Sequence, residues 1–273
     1  MEFHKQRTTN NKQQTTKFRL SRTFFLPILD IFTLGIWGIV LLKYWHSGEL
    51  NLLIHPHYFG LIVVTGLALL SIAAWKMLWL LKRWRQHVSG RSVNIPLVQH
   101  LSLFPPGLSS SLLLVIAILG LIVKPKVFAS DTAMQRGISE SVTVTRLQPQ
   151  AFKPLSKPEE RSLIDWIRTL NIYPEPDTYT GQPVKLKGFV VHPEKLPPKY
   201  LLVSRFVITC CAADAYPVAL PVKLKVNKDK YPVDTWIEVE GKMITENLEG
   251  ERQLTIEANS IEKIDKPDNP YNY

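Results

Sequence analysis

Val184-Lys185-Leu186-Lys187-Gly188-Phe189-Val190-Val191 alternates apolar and basic residues before turning continuously apolar. Period two marks a strand with one face toward a core and one toward water. The pattern returns in Trp236-Ile237-Glu238-Val239-Glu240-Gly241-Lys242 and in 218–226, where Lys223 and Lys225 take the alternate face. It also runs through 200–211 and 253–258, the latter extended by 261–264. Turn signals separate these runs: His192-Pro193, Pro197-Pro198, Asn227-Lys228-Asp229 and Glu249-Gly250. Gly188 and Gly241 fall mid-strand, where a small barrel must bend. Residues 157–273 therefore predict a mainly-β domain of five or six short antiparallel strands. An OB-like barrel is the expected form, with a β-sandwich as the alternative. One short helix over 159–170 precedes the strands, because Leu163, Trp166, Ile167 and Leu170 recur at helical spacing.

Upstream the chemistry changes. Residues 1–149 hold 16 Lys+Arg against 5 Asp+Glu, whereas 150–273 hold 17 against 18. The basic excess flanks apolar runs, which is how membrane topology is written, and it argues against nucleic-acid binding. Three runs, 23–45, 57–81 and 103–123, predict three transmembrane helices, each near the ~20 residues a bilayer requires. The third starts least clearly, at Pro105-Pro106-Gly107 and Ser109 to Ser111. Lys5, Arg7, Lys12, Lys17, Arg19 and Arg22 precede the first run, and Lys82, Arg83, Arg85 and Arg91 follow the second. The loop between them carries only Glu49 as a full charge. The positive-inside rule then places the N-terminus in the cytoplasm and everything after Lys124 outside the cell (inner) membrane.

The first run exceeds a signal-peptide core and lacks a small-x-small cleavage site, so it reads as a retained anchor. Lys43 and Lys76 are expected to snorkel toward headgroups. Residues 1–22 read as a disordered cytoplasmic tail, 23–124 as the membrane region, 125–156 as a linker and 157–273 as the extracytoplasmic domain.

Both cysteines of the chain stand side by side in Arg205-Phe206-Val207-Ile208-Thr209-Cys210-Cys211-Ala212-Ala213-Asp214. Continued period two points Cys210 inward and Cys211 to the other face. Four chemistries remain open for them: a small apolar filling of a strand end, a redox-sensitive pair, metal ligation with Asp214 and His192 as candidates to complete the set, or catalysis. Thiolates favour zinc or copper. A redox enzyme would more naturally space its cysteines as C-x-x-C, and no histidine lies close in sequence. Asp214 also suits the cap of a turn, and Arg205 could pair with Asp214 or Glu238. Secondary ligand candidates are His55 and His57, flanking Pro56, and Asp30 inside the first apolar run, where an acid is costly and often functional.

Residues 205–214 resemble the signature of the YcgQ-like family of uncharacterised bacterial membrane proteins. Leu53-Ile54-His55-Pro56, residues 130–137, Tyr179-x-Gly181 and Lys187-Gly188-Phe189-Val190 agree with it. The resemblance implies a non-enzymatic accessory subunit of a two-component permease, paired with a larger polytopic partner, whose exported domain gates, receives or senses a ligand. It transfers no catalytic residue. The alternative reading is a membrane-anchored extracytoplasmic thiol- or metal-handling protein using Cys210 and Cys211.

Overall fold

The computed structural model describes residues 3–88, 105, 107–138 and 157–273. The chain divides into two units: a helical one of residues 1–50 and 56–125, and a β-rich one of 51–55 and 126–273.

In the helical unit, α1 spans Phe3–His46, α2 Phe59–Val88 and α3 Leu108–Ile122. Two stretches, Phe25–His46 and Pro56–Gln86, are long and apolar enough to cross a membrane. Helix α3 has 15 residues, or about 22 Å at 1.5 Å per residue, less than a ~30 Å hydrocarbon core. Backbone helix extends through residues 3–22, read above as a disordered tail. No glycine or proline interrupts the chain before Pro27, so the intrahelical bonds continue.

Large apolar side chains of α2 face outward, among them Leu61, Val64, Leu67, Trp75 and Leu78. A core helix of a soluble protein would bury them. Helices α1 and α2 run antiparallel and touch at small residues. A Cβ on Gly38 would stand 2.7 Å from Leu70 and 3.0 Å from the Gly66 carbonyl, so the glycine permits the close approach.

Polar side chains of α1 tie it to α3. Ser110 donates to Asp30 at 2.5 Å, Thr33 donates to the Ser110 carbonyl, and Trp37 Nε1 donates to the Leu113 carbonyl. Farther along, Lys43 and Tyr44 donate to the Leu121 and Gly120 carbonyls. Partners rise together in number, so α1 and α3 run parallel. Lys43 caps the C-terminal carbonyls of α3, where a cation also complements the helix dipole.

The β unit starts earlier than the sequence suggested. Helix α4, Ser130–Gln135, and Val127, Phe128 and Ile138 pack into its second core, so 126–138 is not a linker. The rest of the expected linker, 139–156, lies outside the described residues. Helix α5 spans Leu163–Ile172. Ser162 caps it: its hydroxyl accepts from the Asp165 amide, while the Asp165 carboxylate accepts from the Ser162 amide.

Six strands follow: β1 Pro183–Val191, β2 Tyr200–Val207, β3 Tyr216–Lys223, β4 Trp236–Leu248, β5 Glu251–Lys263 and β6 Tyr271–Asn272. Strand β1 pairs with β4, β4 with β5, β5 with β3, β3 with β2, and β2 again with β1. The first five strands thus form a closed ring, and β6 extends it beside β2. All ring pairings are antiparallel except β3–β5, which is parallel. The run 253–264, expected as a strand with an extension, is one continuous β5.

Alternation sorts the ring's side chains into two cores. Leu186, Leu201, Val203, Leu220, Val222 and Ile237 join Trp166 and Ile167 of α5 in one cluster. Phe189, Leu202, Phe206, Ala219 and Trp236 form the other with Ala133 and Tyr271. Strands β2 and β3 are covered on both faces, which explains their continuous apolar runs. Gly241 sits at a register shift in β4, where an added Cβ would lie 2.1 Å from the Glu257 carbonyl oxygen. Only glycine fits that close approach.

Candidate functional site

Strand β2 stops at Val207, and β3 resumes at Tyr216. The cysteines therefore stand in the connection, not in the strand. Residues 209 and 210 form a bend, and Ala212–Asp214 make one turn of 3-10 helix. Period two does not extend past Val207, so the expected division of the sulfurs between opposite faces is overturned. Cys210 is exposed and Cys211 half-buried, and both are free thiols with their Sγ atoms 3.7 Å apart. An apolar filling role for Cys210 at the strand end is likewise excluded by its exposure.

Asp214 organises this bend. Its Oδ2 accepts from the Thr209 hydroxyl and from the Cys210 amide at 2.9 Å, and its Oδ1 accepts from the Cys211 amide at 3.2 Å. Partial burial works against its charge, but these bonds and one from the Cys210 thiol outweigh it and hold the carboxyl below the usual carboxylate range. The effect on Cys210 is opposite. Its hydrogen bond to Asp214, seconded by Cys211, pushes the thiol up to about 11. Nucleophilic cysteines are activated by a lowered pKa, so this environment disfavours the Cys210 thiolate and slows its reactions near neutral pH. Ligand atoms of Cys210, Cys211 and Asp214 all lie within 4.8 Å of one another.

Three other segments of the β unit grip the same bend. Residues 51–55 form a short strap: Ile54 bridges Cys211, the His55 amide donates to the Cys210 carbonyl at 3.0 Å, and the Ala212 amide donates to the Leu53 carbonyl at 2.7 Å. Arg136, just past α4, donates to the Ala215 and Ala212 carbonyls and stacks on Phe128. At the C-terminus, the Ile208 amide donates to the Asn272 carbonyl at 3.0 Å. Tyr273 meets the His55 ring edge-on at 4.9 Å and donates to the Asn51 carbonyl.

His55 is thus brought beside the cysteine turn through its backbone. The other two secondary candidates are not: His57 belongs to the helical unit and packs on Tyr58, and Asp30 is engaged by Ser110. Arg205 pairs with neither Asp214 nor Glu238. It donates to the carbonyls of Asn269, Pro270 and Tyr271 and lies over Trp236, anchoring the C-terminal segment. Sequence reasoning missed Thr209 and Arg136 as supports. Arg136 and Leu53 do fall in stretches singled out for their resemblance to one family, and those stretches converge here.

Helix α5, the cysteine turn and all six strands lie within residues 159–273. This segment matches the DUF1980 C-terminal domain. The DUF1980 match takes in Cys210, Cys211 and Asp214, and leaves the helical unit, the strap and Arg136 outside it. No curated protein matches the chain.

Proposed function

We propose that the chain is a non-enzymatic accessory subunit of a two-component membrane permease, which receives a ligand at the Cys210–Asp214 turn outside the cell membrane. The observation that carries this reading is the turn itself: exposed, bound on three sides, and bringing two thiols and a carboxylate together. A catalytic cysteine would need a base and a stabilised thiolate.

Three spans account for the helical unit better than two. The parallel course of α1 and α3, with α2 antiparallel to α1, is the alternation that three successive crossings require. The positive flanks then leave the β unit on the outer side. Three helices cannot easily enclose a path by themselves, so the reading expects a larger polytopic partner, as the resemblance to YcgQ-like proteins implies. An OB-like barrel is supported by the closed five-strand ring and its parallel β3–β5 pair. Nucleic acid is disfavoured as the ligand. Lys185 and Lys187 are tied to Glu238 at 2.7 and 3.0 Å, and Lys223 to Glu246 at 2.5 Å, so these strand-face cations are already paired.

The two native cysteines supply the test of topology. In intact cells, a membrane-impermeant maleimide should label the chain without lysis, after treatment with an impermeant reductant. Labelling that appears only after lysis defeats the three-span arrangement. Purification of the tagged full chain from mild detergent should bring a polytopic permease with it. Its consistent absence, with crosslinking included, removes the accessory-subunit reading.

A further inference from the structure

The geometry points to the Cys210–Cys211–Asp214 turn as an exchangeable three-ligand site for a zinc-class divalent cation, held by two thiolates and one carboxylate. This names the ligand class of the proposed receiving site and rests on that reading of the turn.

Spacing is the first argument. Two thiolates bound to one tetrahedral ion at about 2.3 Å each stand about 3.8 Å apart. The two sulfurs here are 3.7 Å apart. A disulfide needs about 2.05 Å, and a linear two-coordinate ion needs twice its metal–sulfur bond, so neither matches as closely. Adjacent cysteines reach this spacing because they occupy a bend, where successive side chains need not oppose each other.

The third ligand is the second argument. Asp214 Oδ1 accepts only one backbone bond, from Cys211, and keeps a lone pair for a cation. Its sister oxygen is fixed by Thr209 and the Cys210 amide, so the carboxylate is already oriented. A mixed sulfur–oxygen set suits zinc, whereas cuprous copper prefers sulfur donors throughout.

The third argument is preorganisation. Leu53 and His55, Arg136 and Asn272 hold the backbone of the turn from three directions, so binding requires side-chain torsions and little else.

The step balances simply. Two S–H bonds break, two metal–sulfur bonds and one metal–oxygen bond form, and two protons pass to water. Nothing is oxidised. Structural zinc sites close with four protein ligands, while sites that exchange or react keep a position open. Among the described residues three ligand groups cluster here, and the turn is exposed. The fourth position faces solvent, where a donor from a delivering or accepting partner can enter.

Cobalt(II) and zinc(II), added to the reduced, detergent-purified full chain, test this directly. One equivalent of cobalt should produce thiolate charge-transfer bands and the intense visible bands of tetrahedral coordination, and zinc should erase them. Competition with a chromophoric chelator should show zinc affinity falling at least about 100-fold in Cys210→Ser and in Cys211→Ser, beyond the ~10–100-fold usual for losing an outer-shell partner. Asp214→Asn should lose about tenfold or more. Circular dichroism and the thermal midpoint of each variant establish that the fold survives. Weak, six-coordinate cobalt spectra, or wild-type zinc affinity in the double serine variant, overturn the site. Cuprous ion bound in preference to zinc, in a parallel competition, overturns the class. A chain that captures its permease yet binds no zinc sinks the cation site alone, and zinc binding without a permease sinks only the subunit reading.

Discussion

Cys210 shows how far one carboxylate can set a thiol's chemistry. The bond to Asp214 keeps the proton on sulfur up to about 11, while the same carboxylate stays charged because three further donors hold it. The thiolate is the reactive species, so alkylation of Cys210 near neutral pH should be slow. Replacing Asp214 with Asn removes the charge that opposes thiolate formation. Labelling of Cys210 by iodoacetamide at about pH 8 should then accelerate, by up to about tenfold for each pKa unit regained, as read by peptide mass spectrometry. An unchanged rate would mean that the carboxylate does not govern the thiol. The motif was legible in the sequence, and Asp214's capping role with it. The burial of the thiols was not, because alternation was carried past the strand's end at Val207 to Cys211.

At the scale of elements, the ring depends on close approaches that composition marks and topology explains. Gly241→Ala would push a Cβ against the Glu257 carbonyl at the β4 bulge. The expected loss is about 1–3 kcal/mol, measured by chemical denaturation, as for other overpacked positions. Trp166 of α5 is fully buried in the ring's core, and Trp166→Ala should cost about 3–5 kcal/mol.

The end of β1 carries a pH dependence. Burial, assisted by Lys228, holds His192 below its ordinary pKa. The unfolded chain therefore binds a proton near pH 6.5 that the folded chain refuses. This contribution is fully present above about pH 6.5 and is lost as pH falls toward the folded pKa. Hydrogen-exchange protection of β1 and β2 amides should decline over that window, and His192→Gln should flatten the decline. The strands themselves were readable from period two. Closure between β1 and β2 was not, since no local pattern says which edges meet.

For the whole molecule, the paired polar bonds between α1 and α3 give the helical unit a register that hydropathy alone lacks. Trp37, Lys43 and Tyr44 each donate to a carbonyl of α3. Lys43→Leu keeps the apolar character of the span but leaves the Leu121 carbonyl without this donor. Weaker α1–α3 disulfide crosslinking between introduced cysteines is the expected result, and undiminished crosslinking would show the cap to be dispensable.

Sequence by itself determined the division into an apolar basic half and a strand-rich half, because hydropathy and alternation are local properties of consecutive residues. It also determined which residues carry soft-ligand chemistry, since thiols and carboxylates are recognisable wherever they fall. Only the tertiary structure decided that Leu53, His55, Arg136, Cys210, Cys211 and Asn272 meet at one turn. Their meeting depends on hydrogen bonds between segments as distant in sequence as Leu53 and Ala212, and such bonds leave no periodic trace in the chain.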